Sequence, residues 1–104
     1  MDKQLNRKGR RILIAVAKVG RTISYKALGR KLGIHWRGYT MRHLLGEISL
    51  AEHKAGRPLL SAVVVHTHNR KPGPGFIHGL CDRLTGVTLD WKYQLGRVHG
   101  YWQR

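Results

Sequence analysis

The sequence predicts a mainly α fold with a small β element, an α+β arrangement in one domain over residues 1–104, and three observations carry this. Apolar residues recur at helical spacing through the first half of the chain. One β-branched run, "RPLLSAVVVHTH", stands between Pro58 and a loop rich in Gly and Pro. Helical spacing then returns up to Trp102.

The first helix is expected from Lys3 to Val19, where Leu5, Ile12, Val16 and Val19 recur on one side while Arg7, Lys8, Arg11 and Lys18 largely fall elsewhere, and Gly20 ends it. In "RTISYKALGRKLGI" (Arg21 to Ile34) Ser24 can accept from the free amides of a following turn, and Ile23 and Leu28 can staple it. Gly33 offers a left-handed stop, so a second, short helix is expected from Tyr25 to Leu32. The loop "GIHWRGY" leads to a third helix, beginning near Arg37 and ending near Gly56. Its Met41, Leu44, Leu45 and Ile48 read i, i+3, i+4, i+7 as core, and Arg42, His43 and Glu47 lie opposite.

The β-branched run predicts a strand, and "NRKPGPG" (residues 69–75) a stiff basic loop after it. Phe76, Leu80 and Leu84 form one helical stripe, Gly86 interrupts, and Trp91, Leu95, Val98 and Trp102 form another, so two C-terminal helices are expected. Trp91 and Trp102 fall among aliphatics and read as core. With Tyr93 and Tyr101 they exceed what one face can bury, so this segment either packs back on the first helix or makes an interface; oligomeric state is not fixed by the sequence.

Charge points to the partner. Twenty Lys and Arg against five Asp and Glu give +15 over 104 residues, and residues 1–42 hold twelve of the twenty bases with Asp2 as their one acid. Such a field concentrates polyanions, and nucleic acid is the first expectation. No apolar run reaches the ~18 residues of a spanning helix, and none reads as a signal peptide. No membrane association is expected. A single Cys81, reading as a small buried hydrophobe, agrees with a cytoplasmic protein, nucleoid-associated or held on a nucleoprotein complex.

Three helices, a strand and a basic Gly/Pro loop is the order of a winged helix-turn-helix with extra C-terminal helices. On that expectation the second helix positions the third, whose N-terminal end enters the major groove of double-stranded DNA, and loop 69–75 is the wing. The expected groove contacts are Trp36, Arg37, Tyr39, Thr40, Arg42 and His43, with Arg37 and Arg42 reading guanine through two parallel hydrogen bonds. Lys26, Arg30 and Lys31 hold phosphates, and Arg70 and Lys71 on the wing touch the backbone or the minor groove. His68 donates to phosphate from the wing. Plainer roles stand beside these: Arg30 and Lys31 as a solvated face, Trp36 as a cap on the core, Tyr25 packed under the third helix with its hydroxyl at the surface.

The stretch "TISYKALGRKLG", then "RPLLSAVVV" and a Gly-rich loop, distantly resembles the DNA-binding domain of O6-alkylguanine alkyltransferases and alkyltransferase-like proteins over roughly residues 21–76. That family's Tyr, which assists nucleotide flipping, would match Tyr25; Arg37 and Arg42 are candidates for its Arg finger. The family's Pro-Cys-His-Arg-Val-Val segment is not kept. After Pro58 the chain reads Leu59-Leu60-Ser61, with no Cys and no His-Arg, so the resemblance does not imply alkyl transfer. The whole chain also resembles a family of small bacterial and phage proteins of winged helix-turn-helix type. The shared residues are Ile23-Ser24-Tyr25, Leu45 to Ser49, Pro58 to Val65, Pro74-Gly75-Phe76 and Trp91 to Trp102. This resemblance implies nucleic-acid binding and nothing narrower.

No catalytic constellation is legible. His66 and His68 share one face of a strand, but no Asp or Glu lies between Glu52 and Asp82 to complete a hydrolytic metal site. Neither a GxxxxGK[ST] nor a GxGxxG phosphate loop is present, so no cofactor, no metal and no enzymatic activity are expected. The expectation is a double-stranded DNA-binding regulator or accessory factor of phage or bacterial type. The alternatives are an RNA-binding module that stacks bases on Trp36, Tyr39 or Tyr101, and a basic interaction or inhibitor protein acting on a nucleoprotein complex.

Overall fold

The computed structural model describes residues 3–67, 69–71 and 90–103. Helix α1 spans Lys3–Lys18. Its buried line is Gly9, Leu13 and Ala17, four residues apart, rather than the expected Leu5, Ile12, Val16 and Val19. Leu5, Ile12 and Val16 flank that line half-buried, and Val19, beyond the last turn, is 63% exposed. The cause is close approach. A Cβ on Gly9 would stand 3.3 Å from Ile48 Cδ1 and 3.4 Å from Leu44 Cδ2, so the smallest residue marks the contact that a hydrophobic pattern overlooks. Gly20 then closes the helix, its N–H donating to Ala17 O and that of Arg21 to Val16 O, the paired bonds of a Schellman ending.

Strand β1 is Ile23–Ser24 and runs straight into α2, Tyr25–Leu32. Ser24 Oγ accepts from the Ala27 amide at 3.0 Å, as a capping serine should. At the other end Gly33 takes φ +70°, where a Cβ would be strained, and its N–H returns to Gly29 O. Both ends are those expected.

Helix α3 spans Tyr39–Lys54, beginning two residues later than Arg37. A turn captures Arg37 first: its amide donates to His35 Nδ1 at 3.1 Å, and that of Gly38 to His35 O at 3.2 Å. Gly38, in extended conformation, is the N-cap. Met41, Leu44, Leu45 and Ile48 are buried, as their spacing predicts.

The predicted strand over "RPLLSAVVVHTH" is corrected. Leu60–Val63 form a 3₁₀ turn, and only Val64–Val65 (β2) are extended, pairing in parallel with β1 through Ile23↔Val64 and Ser24↔Val65. Ser49 on α3 explains the bend. Its hydroxyl accepts the Ser61 amide at 3.1 Å and donates to Ser61 Oγ at 2.7 Å, taking a backbone donor that a longer ladder would have used. Among the described residues the two short parallel strands are the whole sheet.

The last helix, α4, spans Trp91–Trp102, with Asp90 accepting the Tyr93 amide at its start. Val98 is fully buried, while Trp91 and Trp102 are half-buried against the core rather than within it. Trp91 Nε1 donates to Ala62 O at 2.8 Å and His99 Nε2 to Arg21 O at 3.0 Å, so α4 packs back toward α1 and the 3₁₀ turn. The expected helix around Phe76, Leu80 and Leu84, with Cys81, lies outside the described residues. No helix among the described residues is long and apolar enough to cross a membrane.

Glu52 is fully buried on α3 and pairs with two guanidinium groups, Arg10 from α1 at 2.5 Å and Arg57 from the turn after α3. The hydrogen bond to Glu52 holds the Arg57 pKa above its ordinary value, desolvation opposing. One carboxylate thus fixes three segments. It also pairs Arg10, whose side chain stays about one-third exposed, so that this charge is partly offset.

Candidate nucleic-acid interface

The parallel register builds the first part of the site. Because Ser24 pairs with Val65, the next residues, Tyr25 and His66, come side by side, with ring centroids 4.8 Å apart. Trp36, in the turn between α2 and α3, meets His66 edge-on at 6.4 Å. Its place is dictated by Gly29: a Cβ there would lie 3.2 Å from Trp36 Cβ and 2.8 Å from Ile34 O, so the turn folds tightly onto α2 only over a glycine.

Two cations approach this indole. Arg37 Cζ lies 4.8 Å and Lys26 Nζ 5.3 Å from its centroid, within cation–π range. Trp36 is half-buried and packs against the core, while Arg37 and Lys26 are exposed. It therefore caps the core and also holds two charges in place at the surface. Tyr25 is buried.

The second part is the outer face of α3. Tyr39 is 72% exposed, and its ring stacks on His43 at 5.4 Å and 24°. Its hydroxyl lies 3.4 Å from His43 Nδ1, and His43 Nε2 lies 3.8 Å from Glu47 Oε1, a chain along one face of the helix. Thr40 and Arg42 are exposed in the same first turns. The first turn of α3 holds no acid and Gly38 provides no side-chain cap, so the positive end of the helix dipole is not offset from within the helix.

Of the expected site residues, then, Tyr25, Lys26, Trp36 and Arg37 form one cluster, and Tyr39, Thr40, Arg42 and His43 share the start of α3. Arg37 sits before that helix, not on it. Arg30 and Lys31 are exposed on the last turn of α2, Arg30 one turn beyond Lys26. Arg70 and Lys71 are exposed in a turn closed by the His66 amide donating to Lys71 O at 2.8 Å and that of Arg70 to His66 O at 2.9 Å. Arg70 adopts φ +53° there. His68 and the rest of the expected wing, residues 72–75, lie outside the described residues.

His66 was missing from the expected contact set, although it joins the Tyr25–Trp36 cluster to the Arg70 turn. The register of two-residue strands carries that information, and no periodicity reveals it. Among the described residues no three His, Cys, Asp or Glu side chains converge as metal ligands. Comparison of the chain with protein-family models, with curated proteins and with solved structures finds no match.

Proposed function

We propose that the chain is a double-stranded DNA-binding protein of winged helix-turn-helix type, acting by binding alone, without cofactor or catalysis, as a regulator or DNA-associated accessory factor. The observation that carries this reading is the α2–turn–α3 unit. A Gly29–Trp36 contact locks the turn, Trp36 holds Arg37 and Lys26 at the surface, and the N-terminal end of α3 presents Thr40 and Arg42 with no acid in its first turn. Arg42 and Arg37 are the base-reading candidates. Lys26, Arg30, Lys31, Arg70 and Lys71 serve the phosphates, which fix register without reading sequence.

One observation favours a second reading. Tyr39, exposed and backed by His43, is a ready platform for an unpaired base, as an RNA-binding or single-strand-binding surface requires. The test is fluorescence anisotropy of the protein with random duplex DNA, single-stranded DNA and structured RNA at equal ionic strength. Tightest binding to duplex is expected. Preference for single strands or RNA would replace the duplex reading with the second one.

A further inference from the structure

We infer that the outer face of α1 is a second phosphate-binding surface, directed away from α3, so that one molecule holds two nucleic-acid segments together. This rests on the duplex-binding reading of α3. Lys3, Arg7, Lys8, Arg11 and Lys18 are exposed, and α1 contains no acidic residue. Arg7, Lys8, Arg11 and Lys18 occupy the side opposite Gly9, Leu13 and Ala17, with Lys3 at its flank, and Gly9 is the point at which α1 rests on Leu44 and Ile48 of α3. The two helices turn their buried faces to each other. Their cationic faces consequently point in opposite directions, with the shared core between them. Arg10, the one remaining base of α1, is tied inward to Glu52 and takes no part.

The dimensions fit two partners. A helix of 16 residues is about 24 Å long, over which a duplex presents roughly fourteen charges. The molecule measures 31 × 29 × 27 Å. Polyanions on opposite faces are therefore separated by more than the ~8 Å screening length at physiological salt, and their mutual repulsion is weak. Charge complementarity and geometry favour nucleic acid over a lipid surface. The apolar side of α1 packs against the core, with Leu13 and Ala17 buried and Leu5, Ile12, Ile14 and Val16 half-buried, which leaves little to insert between acyl chains.

The experiment couples a duplex to beads, adds the protein and measures capture of a second, fluorescent duplex, alongside direct binding to a single duplex. The variant is Arg7→Gln/Arg11→Gln/Lys18→Gln, confined to exposed positions, with circular dichroism as the check of fold. Wild type is expected to capture the second duplex, and the variant to lose capture about tenfold while its binding to one duplex falls less than about threefold. The inference is overturned if wild type binds one duplex but captures no second, or if capture persists in the variant, as self-association would give. It is also overturned if both readouts fall equally, placing α1 in the footprint of the same duplex. Loss of sedimentation with phosphatidylserine vesicles while duplex capture survives would make the face a lipid surface. If wild type binds no duplex at all, the proposed function fails and this inference with it.

Discussion

Trp36 closes directly over Gly29, so closely that a methyl group on Gly29 would stand 3.2 Å from Trp36 Cβ and 2.8 Å from the carbonyl oxygen of Ile34. A backbone atom at that distance cannot yield as a flexible side chain does. The turn between α2 and α3, and with it the position of Arg37, depends on the absence of that methyl.

Gly29→Ala gains about 1 kcal/mol of helix propensity and loses about 1–3 kcal/mol to overpacking against the turn. A net destabilisation of about 1 kcal/mol is expected in urea unfolding, with weaker duplex binding because Trp36 and Arg37 shift together. A stability equal to or above wild type would show that the turn does not need the contact.

The Ser49–Ser61 pair predicts an order of effects. Ser49→Ala leaves both the Ser61 amide and the Ser61 hydroxyl unpaired in a buried place, at a cost of about 1–3 kcal/mol. Ser61→Ala removes one hydroxyl, and Ser49 still accepts the amide, so the loss is smaller. Chemical denaturation of the two variants checks the ranking; equal losses would mean the amide bond contributes little.

Glu52→Gln removes the shared partner of Arg10 and Arg57. Truncating a fully buried pair costs about 3–5 kcal/mol, but both guanidinium groups are about one-third exposed and can turn to water, so about 1–3 kcal/mol is expected. The raised Arg57 pKa also gives a sign. Its contribution is complete below the unfolded-state pKa of arginine and disappears only as pH rises through the still higher folded value. This group therefore adds no slope to stability between pH 5 and 9. A thermal or urea titration of wild type and variant over that range checks it: the difference between them should show no step assignable to Arg57.

Much of this structure was legible in the sequence, and the parts that were not have physical causes. Both ends of α2 follow from local chemistry, a serine hydroxyl and a left-handed glycine, and α3 follows from the spacing of Met41, Leu44, Leu45 and Ile48. The buried line of α1 escaped because Gly9 and Ala17 carry little hydrophobicity, although they set the helix spacing. The strand after Pro58 shrank because a tertiary partner, Ser49, captured its amide, which no local propensity encodes. In the site, the exposed cations of α2 and α3 could be read from charge and periodicity. The His66–Tyr25 contact could not, since it depends on a two-residue parallel register, and the pairing of Arg10 depends on Glu52, forty-two residues away.

Tyr39 separates the two readings of the surface. With its ring mostly in solvent, Tyr39→Ala should change stability by less than about 0.5 kcal/mol. On the duplex reading it lowers duplex affinity several-fold. A loss of about 1–3 kcal/mol confined to single strands would mark it as a base-stacking platform instead.

The central claim is that the turn before α3 and its first residues form the duplex-binding surface, and a salt series with Arg37→Ala/Arg42→Ala tests it most directly. If wild type neutralises ~6 phosphates, log affinity for random duplex falls against log salt with a slope of roughly −5. The variant is expected to bind at least about tenfold more weakly, with a slope shallower by up to about 2 where both guanidinium groups meet phosphates. Unchanged affinity and unchanged slope would contradict the account, because duplex would then be bound somewhere other than at α3.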